Sequence, residues 1–220
     1  MLYWICWTGF WVFTHLVCRL HVHGREHVPK TGALLVVPNH LSWYDPFLLG
    51  LAIPRRVWFF TKSEIFRWPL VGKICQWTGQ ISVARGESDR SALEKALVCL
   101  HEGKALVIFP EGTVERQEKM IPAQTGAAMV ALRTGVPILP IAHVGSRKVL
   151  RTWRSWFPRV DIYIGEPYVP SLPAGMSRKA GLREVTQDMM LRVAAMLPSE
   201  CRGVYADDVL NPQGELMDKG

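Results

Sequence analysis

Continuous apolar runs alternate along this chain with stretches of helical periodicity. Ala33–Val37 (ALLVV), Ala105–Phe109 (ALVIF) and Ile138–Val144 are uninterrupted apolar segments, and Val57–Phe60 and Ile81–Ala84 are shorter versions. Such runs read as strands buried on both faces of a sheet. Val160–Ile164 alternates and then reaches Gly165, a further strand. Between them, Ser91-Ala-Leu-Glu94 forms a capping box, followed by Leu93, Leu97 and Leu100 on one face until Gly103. Thr125–Arg133 is alanine-rich and closes at Gly135-Val-Pro137. Ser177–Leu197 sets Leu182, Val185, Met189, Val193 and Met196 on one stripe before Pro198, the spacing of core packing. From Glu200 the chain is polar and reads as a surface strap or a frayed end. Strands separated by helices predict an α/β fold: a single domain with a mostly parallel sheet flanked by helices. The predicted division is a segment at residues 1–23, the α/β domain at 24–199 and a C-terminal tail at 200–220.

The first segment has a different character. Met1–Cys18 contains no Asp, Glu, Lys or Arg and is rich in aromatic residues. It is barely long enough to cross a hydrocarbon core of roughly 30 Å as a helix. It lacks the basic start and small-residue cleavage site of a signal peptide. Trp and Tyr prefer the headgroup boundary, so the expectation is a membrane-associated helix that lies along or dips into one leaflet. A single span and a helix packed on the protein's own core are the alternatives.

Composition narrows the partners. The chain has 220 residues, 49% hydrophobic, with a formal charge of +7, which suits one globular domain and excludes a disordered chain. A basic excess favours an anionic partner such as nucleic acid, a phosphorylated ligand or an anionic membrane. Gly145–Arg159 carries Arg147, Lys148, Arg151, Arg154 and Arg159 interleaved with Trp153, Trp156 and Phe157, a pattern suited to an anionic membrane surface. The absence of a recognisable nucleic-acid module and the apolar N-terminus argue against nucleic acid. Five scattered cysteines without a CxxC pair fit a reducing compartment. His21, His23 and His27 lack the Cys or acidic companions of a zinc site, and no metal is expected.

Candidate chemistry gathers where strands end. Pro38-Asn39-His40-Leu41-Ser42-Trp43-Tyr44-Asp45-Pro46 leaves the first apolar strand at its C-terminal end, where ligands collect in open α/β sheets. Asp45 before Pro46 reads as the N-cap of a helix through Phe47–Ala52, with a second oxygen available to one nitrogen of His40. On these residues alone, a helix cap beside an ordinary histidine explains the pattern as well as a catalytic pair does. Phe109-Pro110-Glu111-Gly112-Thr113 also follows a strand, and Gly112 permits an unusual backbone angle. Gly79–Gly86 delivers Arg85 to a strand end, where it can serve a phosphate or lie solvated in a loop.

Taken in order, these stretches resemble the glycerolipid acyltransferase family of the lysophosphatidic acid acyltransferase type. Asn39-His40-Leu41-Ser42-Trp43-Tyr44-Asp45 matches its Asn-His-x-Ser-x-x-Asp motif, and Gly79–Gly86 matches its second. Phe109–Thr113 is an intact Phe-Pro-Glu-Gly-Thr, and Val136-Pro-Ile-Leu-Pro140 is its Val-Pro-Ile-x-Pro. Lys62 in Thr61-Lys-Ser-Glu64 resembles a lysine that the family places near the acceptor phosphate, and Gly165-Glu-Pro167 matches its late strand. The resemblance covers residues 24–197. It departs where members often carry Arg-Ser after Phe-Pro-Glu-Gly-Thr, here Val114-Glu115, and Lys-x-Gly, here Gln124-Thr125-Gly126.

The resemblance implies direct acyl transfer, in phospholipid biosynthesis, from acyl-CoA or acyl-carrier protein to the hydroxyl of a membrane lipid acceptor. The acceptor it implies is lysophosphatidic acid (1-acyl-glycerol-3-phosphate), which yields phosphatidic acid. The two departures each remove a positive charge near the acceptor and open an amino-lipid or another lysophospholipid as the alternative. His40 is expected to act as base and Asp45 to orient it. Lys62 and Arg85 are expected to hold the acceptor phosphate, with Glu111, Gly112 and Thr113 shaping the acceptor site. Ser42 is expected to brace the turn. No cofactor is implied. The expected location is a membrane, peripheral or single-span, with the active site on the cytoplasmic side. This mechanism demands that His40 and Asp45 touch, and that an apolar cavity for a fatty tail open beside them.

Overall fold

The computed structural model describes residues 2–78, 80–83, 89–114, 118–149 and 157–209. Seven strands form one sheet: β1 (Arg19–His23), β2 (Leu34–Pro38), β3 (Val57–Lys62), β4 (Ile81–Val83), β5 (Ala105–Val107), β6 (Ile138–Val144) and β7 (Arg159–Ile164). Their order is β1-β7-β6-β2-β5-β3-β4. The five strands from β6 to β4 are mutually parallel. The strand β7 runs antiparallel to β6, and β1 runs parallel to β7. The C-terminal ends of the parallel strands therefore share one edge with the N-terminal ends of β1 and β7.

The apolar runs are central because both faces of the sheet are covered. Every residue of β2 is buried. Leu35 and Val37 face a core layer with Leu100 of α4 (Asp89–His101), Val130 of α5 (Gly126–Thr134) and Met189 of α7 (Arg178–Ala195). Leu34 and Val36 face the opposite layer, with Leu48, Leu49 and Ala52 of α2 (Asp45–Ala52). Gly135, at φ +65°, ends α5 in the left-handed conformation. Ser177 caps α7 by accepting the Ala180 N–H.

Several elements differ from the sequence expectation. The helix α4 begins at Asp89, so Ser91 lies inside its first turn and is not the cap. The strand β1 and helix α3 (Pro69–Thr78) appear where no element was expected. Residues after Glu200 pack as a strap: Cys201, Tyr205 and Val209 join the core on the α7 side. Met120 N–H bonds to Cys201 O at 3.0 Å, and Val204 N–H bonds back to Met120 O at 3.2 Å.

Helix α1 (Leu2–Val17) packs one face on α2, α3 and β1. Trp7 Nε1 donates to Gly50 O at 3.0 Å, Phe10 meets Phe47 with ring centroids 4.5 Å apart, and Thr14 and Tyr44 share a hydroxyl bond of 2.8 Å. Its other face leaves Trp4, Ile5, Trp11, Val12, Phe13 and Leu16 exposed. Among the described residues, no helix is long and apolar enough to cross a membrane.

Candidate active site

His40 follows β2 directly, and Asp45 opens α2. The turn between them folds back so that His40 Nδ1 lies 2.9 Å from Asp45 Oδ2. The same oxygen accepts the backbone N–H groups of Leu41 and Ser42, each at 2.7 Å. This geometry corrects the N-cap reading. Asp45 is the first helical residue, Tyr44 occupies the cap position without a side-chain bond, and the Asp45 carboxylate reaches backwards to close the preceding turn. Ser42 does brace that turn, its Oγ accepting Tyr44 N–H at 3.2 Å.

The pair is asymmetric in exposure. The Asp45 side chain is fully buried, while the His40 imidazole keeps 16% of its surface accessible. Burial alone would raise the Asp45 carboxyl. The imidazole of His143, the His40 hydrogen bond and the Ser42 N–H outweigh it and hold the carboxyl below its ordinary range. A carboxylate on Nδ1 leaves Nε2 of His40 as the lone-pair nitrogen. The ring stacks on Phe109, centroids 4.0 Å apart, which fixes its plane.

Glu111 lies on the connection after β5 and is 3% exposed; its Oε1 accepts the His40 backbone N–H at 3.3 Å. Gly112 has φ +68°, and a Cβ there would stand 3.1 Å from Gln124 Nε2. The connection closes through Gln124 N–H to Pro110 O at 2.9 Å, which brings the amide that replaces the expected lysine against the Glu111-Gly112-Thr113 turn. Gly112 and Thr113 are exposed. Lys62, exposed at the end of β3, lies on the same edge as His40, with β5 between their strands. Arg85 and Gly86 fall outside the described residues, as do Arg151, Trp153, Arg154 and Trp156.

An apolar cavity of about 400 Å³ opens beside the pair, within the range of roughly 300–1,000 Å³ usual for ligand sites. Trp43, Tyr44, Pro46 and Phe47, from the His40–Asp45 turn and the start of α2, form one wall. Trp7 and Phe10 of α1, Phe59 of β3, and Val71 and Ile74 of α3 form the others. Sequence reasoning placed Phe59 in an apolar strand and missed α3 altogether. The signal was Pro69 at a helix start followed by Val71, Ile74, Cys75 and Thr78 at helical spacing.

Other reactive groups stand apart. Burial pushes the thiols of Cys18 and Cys99 up to about 11, so neither is a thiolate near neutral pH. His23 lies 3.4 Å from Asp161 and stacks on Tyr163, and His27 Nδ1 bonds to Ile164 O at 2.8 Å. Among the described residues, no three His, Cys, Asp or Glu side chains gather to hold a metal ion.

A buried carboxylate steering an accessible imidazole can take a proton from a hydroxyl and return it to a leaving group. Known proteins with similar sequences carry lipid acyltransferase names. The chain is 36% identical over 110 residues to the lyso-ornithine lipid O-acyltransferase of Pseudomonas aeruginosa, covering 50% of this chain and 42% of that protein. It is 28% identical over 180 residues to the 1-acyl-sn-glycerol-3-phosphate acyltransferase of Borreliella burgdorferi, covering 79% and 71%. A chloroplastic 1-acyl-sn-glycerol-3-phosphate acyltransferase of Brassica napus is 30% identical over 61% of this chain and 40% of its own. The chain thus spans only about two fifths of some of these relatives. The crystal structure of the 1-acyl-sn-glycerophosphate (LPA) acyltransferase PlsC from Thermotoga maritima superposes with a TM-score of 0.64 at 28% identity, covering 80% of this chain and 70% of that one. The acyltransferase family model matches residues 19–144, from β1 to the end of β6 and so across both His40 and Glu111. With more than half of its length matched and the His40–Asp45 pair assembled at the sheet edge, this chain belongs to the acyltransferase family.

Proposed function

We propose that this chain moves a fatty acyl group from acyl-CoA or acyl-carrier protein to the free hydroxyl of a lysophospholipid, with 1-acyl-glycerol-3-phosphate as the leading acceptor. The observation that carries the reading is the shared turn: Asp45 completes the pair with His40, while its neighbours Trp43, Tyr44, Pro46 and Phe47 wall the apolar cavity. A fatty chain in that cavity brings its carbonyl end to the imidazole. His40 Nε2 takes the hydroxyl proton as the acceptor oxygen bonds to the thioester carbonyl carbon. The C–S bond then breaks, and the leaving thiolate recovers the proton from the imidazolium. Asp45 stabilises that imidazolium. Lys62 and Arg85 serve the acceptor phosphate, and Glu111, Gly112 and Thr113 shape its glycerol end.

A second acceptor class is favoured by Gln124. Its neutral amide lies against Gly112, and Val114 is likewise uncharged. An acceptor whose headgroup carries an amine in place of a phosphate suits this rim, and one relative is a lyso-ornithine lipid acyltransferase by name.

Membrane association belongs to the same proposal. A helix that is apolar all round packs on the domain with one face and needs a non-aqueous medium for the other. The exposed face of α1, together with Trp43, Trp68 and Leu70, suits insertion into one leaflet on the cytoplasmic side.

The test is mass spectrometry of products after offering a panel of lysolipids with each acyl donor. The expected result is a new ester on 1-acyl-glycerol-3-phosphate, reduced about 10²–10⁴-fold in a folded His40→Ala variant. A preference for an amino-lysolipid selects the second acceptor class. No ester from any acceptor, or ester formation that His40→Ala leaves unchanged, overturns the proposal.

A further inference from the structure

His143 is the penultimate residue of β6 and is 1% exposed. Its Nε2 lies 3.5 Å from Asp45 Oδ2, the same oxygen that His40 Nδ1 meets at 2.9 Å. The mechanism above uses one imidazole on this carboxylate, yet the structure supplies two. The second is fixed in an unusual way. The β2–β6 ladder ends at Pro38, which pairs with Ile141. Beyond it, the Asn39 side chain imitates a peptide group: Asn39 Oδ1 accepts His143 N–H at 2.9 Å, and Asn39 Nδ2 donates to His143 O at 3.0 Å. A third bond joins His143 Nε2 to Asn39 O at 2.7 Å. A carbonyl oxygen only accepts, so Nε2 carries the hydrogen. That N–H is donated to the Asn39 carbonyl, and the Asp45 carboxylate oxygen lies 3.5 Å from the same nitrogen.

We propose that His143 is a positioning residue for acyl transfer: its Nε2–H, anchored on Asn39, faces the Asp45 carboxylate and tempers how strongly that carboxylate draws a proton onto His40. The proposal rests on the acyl-transfer reading for its kinetic consequences only. Removing the donor leaves Asp45 a stronger base toward His40. The imidazolium of His40 becomes easier to form, and the unprotonated base is lost at higher pH. Other ionisable groups around the cluster are few. From the connection after β5 comes Glu111, at the His40 backbone N–H. From β7 comes Asp161, whose carboxylate is taken by Arg159 and His23. The helix α6 (Ser146–Val149) brings neutral Ser146 and, nearer the surface, Arg147 and Lys148. Tyr44 turns its hydroxyl to Thr14.

The test uses the full chain with His143→Leu, His143→Phe and His143→Gln. Two of the three Asn39 bonds use the backbone of residue 143, so they do not depend on its side chain. The first readout is the titration of the His40 ring by NMR, which needs no turnover. In the folded Leu or Phe variant the His40 midpoint should rise by about one pH unit, and Gln, which keeps an amide donor, should restore most of the shift. The second readout is kinetic: kcat falls on the order of 10–100-fold, the range seen when a group that orients another is lost. KM for either substrate stays within about twofold, and the acid limb of kcat/KM follows the NMR midpoint. An unmoved His40 midpoint overturns the proposal, as does a drop in kcat without a moved limb. If both apolar variants unfold, long-range ¹⁵N correlation in the unaltered chain decides. A hydrogen on Nε2 of His143 supports the assignment, and a hydrogen on Nδ1 alone overturns it. A wild-type chain that transfers no acyl group while the NMR shift appears refutes the acyl-transfer reading and leaves standing the control of the His40 proton by His143, without its role in acyl transfer.

Discussion

Asp45 Oδ2 collects three close N–H groups at 2.7–2.9 Å, one of them on the imidazole it steers. A carboxylate so supplied has its folded pKa below the unfolded value. Its contribution to stability is therefore complete above about pH 4, the unfolded value, and is lost as pH falls through the lower folded value. Urea denaturation across pH 2–7 should show an acid loss that becomes shallower in Asp45→Asn. The same variant should lose on the order of 10³–10⁴ in kcat, because an amide cannot hold the imidazole in the same tautomer and charge state. At this scale the His40–Asp45 spacing was legible in the sequence: four intervening residues and a proline leave few ways to place a carboxylate beside the ring. The direction of the carboxylate was not legible. A cap and a backward-reaching carboxylate need the same residue before Pro46, and only the folded turn separates them. His143 was silent for a different reason. On an apolar strand, a histidine that meets its partners across about a hundred residues leaves no local pattern.

The central strands were plain in the sequence because both faces of each are buried, so their apolar runs are continuous. The edge strand β1 was not, since RLHVH is half exposed and its pairing with β7 is decided across the fold. The cavity wall α3 was hidden because its inward side chains look like any short amphipathic stretch. Ile74→Trp should fill part of the cavity and move donor preference toward shorter acyl chains, read by competing acyl thioesters of graded length in one assay. The strap after Glu200 carries another consequence at this scale. Gly203 has φ +55°, and a Cβ there would stand 1.9 Å from Met120 O. Tyr205 Oη accepts Ala123 N–H at 3.0 Å on the same connection that carries Glu111, Gly112 and Thr113. Gly203→Ala should therefore cost about 1–3 kcal/mol of stability, measurable by thermal unfolding. It should also lower activity although residue 203 lies outside the His40–Asp45 pair.

Across the whole molecule, apolar surface is distributed unevenly. Trp4, Trp11 and Leu16 of α1 are exposed, as are Trp43 and Trp68, which line the cavity. Exposed apolar patches of this kind mark an interaction surface. A Trp11→Glu, Leu16→Glu double variant replaces only exposed side chains, so its unfolding midpoint should stay close to wild type. Its recovery on anionic vesicles in a flotation assay should fall at least about tenfold, since charge on an inserted face is costly. Undiminished recovery would remove α1 from the membrane proposal.

A single residue, Cys18, separates the end of α1 from the start of β1, and it is itself buried, with its N–H on Thr14 O at 2.8 Å. So short a leash denies α1 the swing of a lid. Under the proposed reaction, a fatty tail is threaded lengthwise along this fixed wall, like a cord into a sleeve, so loading becomes slower as the cord lengthens while the sleeve keeps its bore.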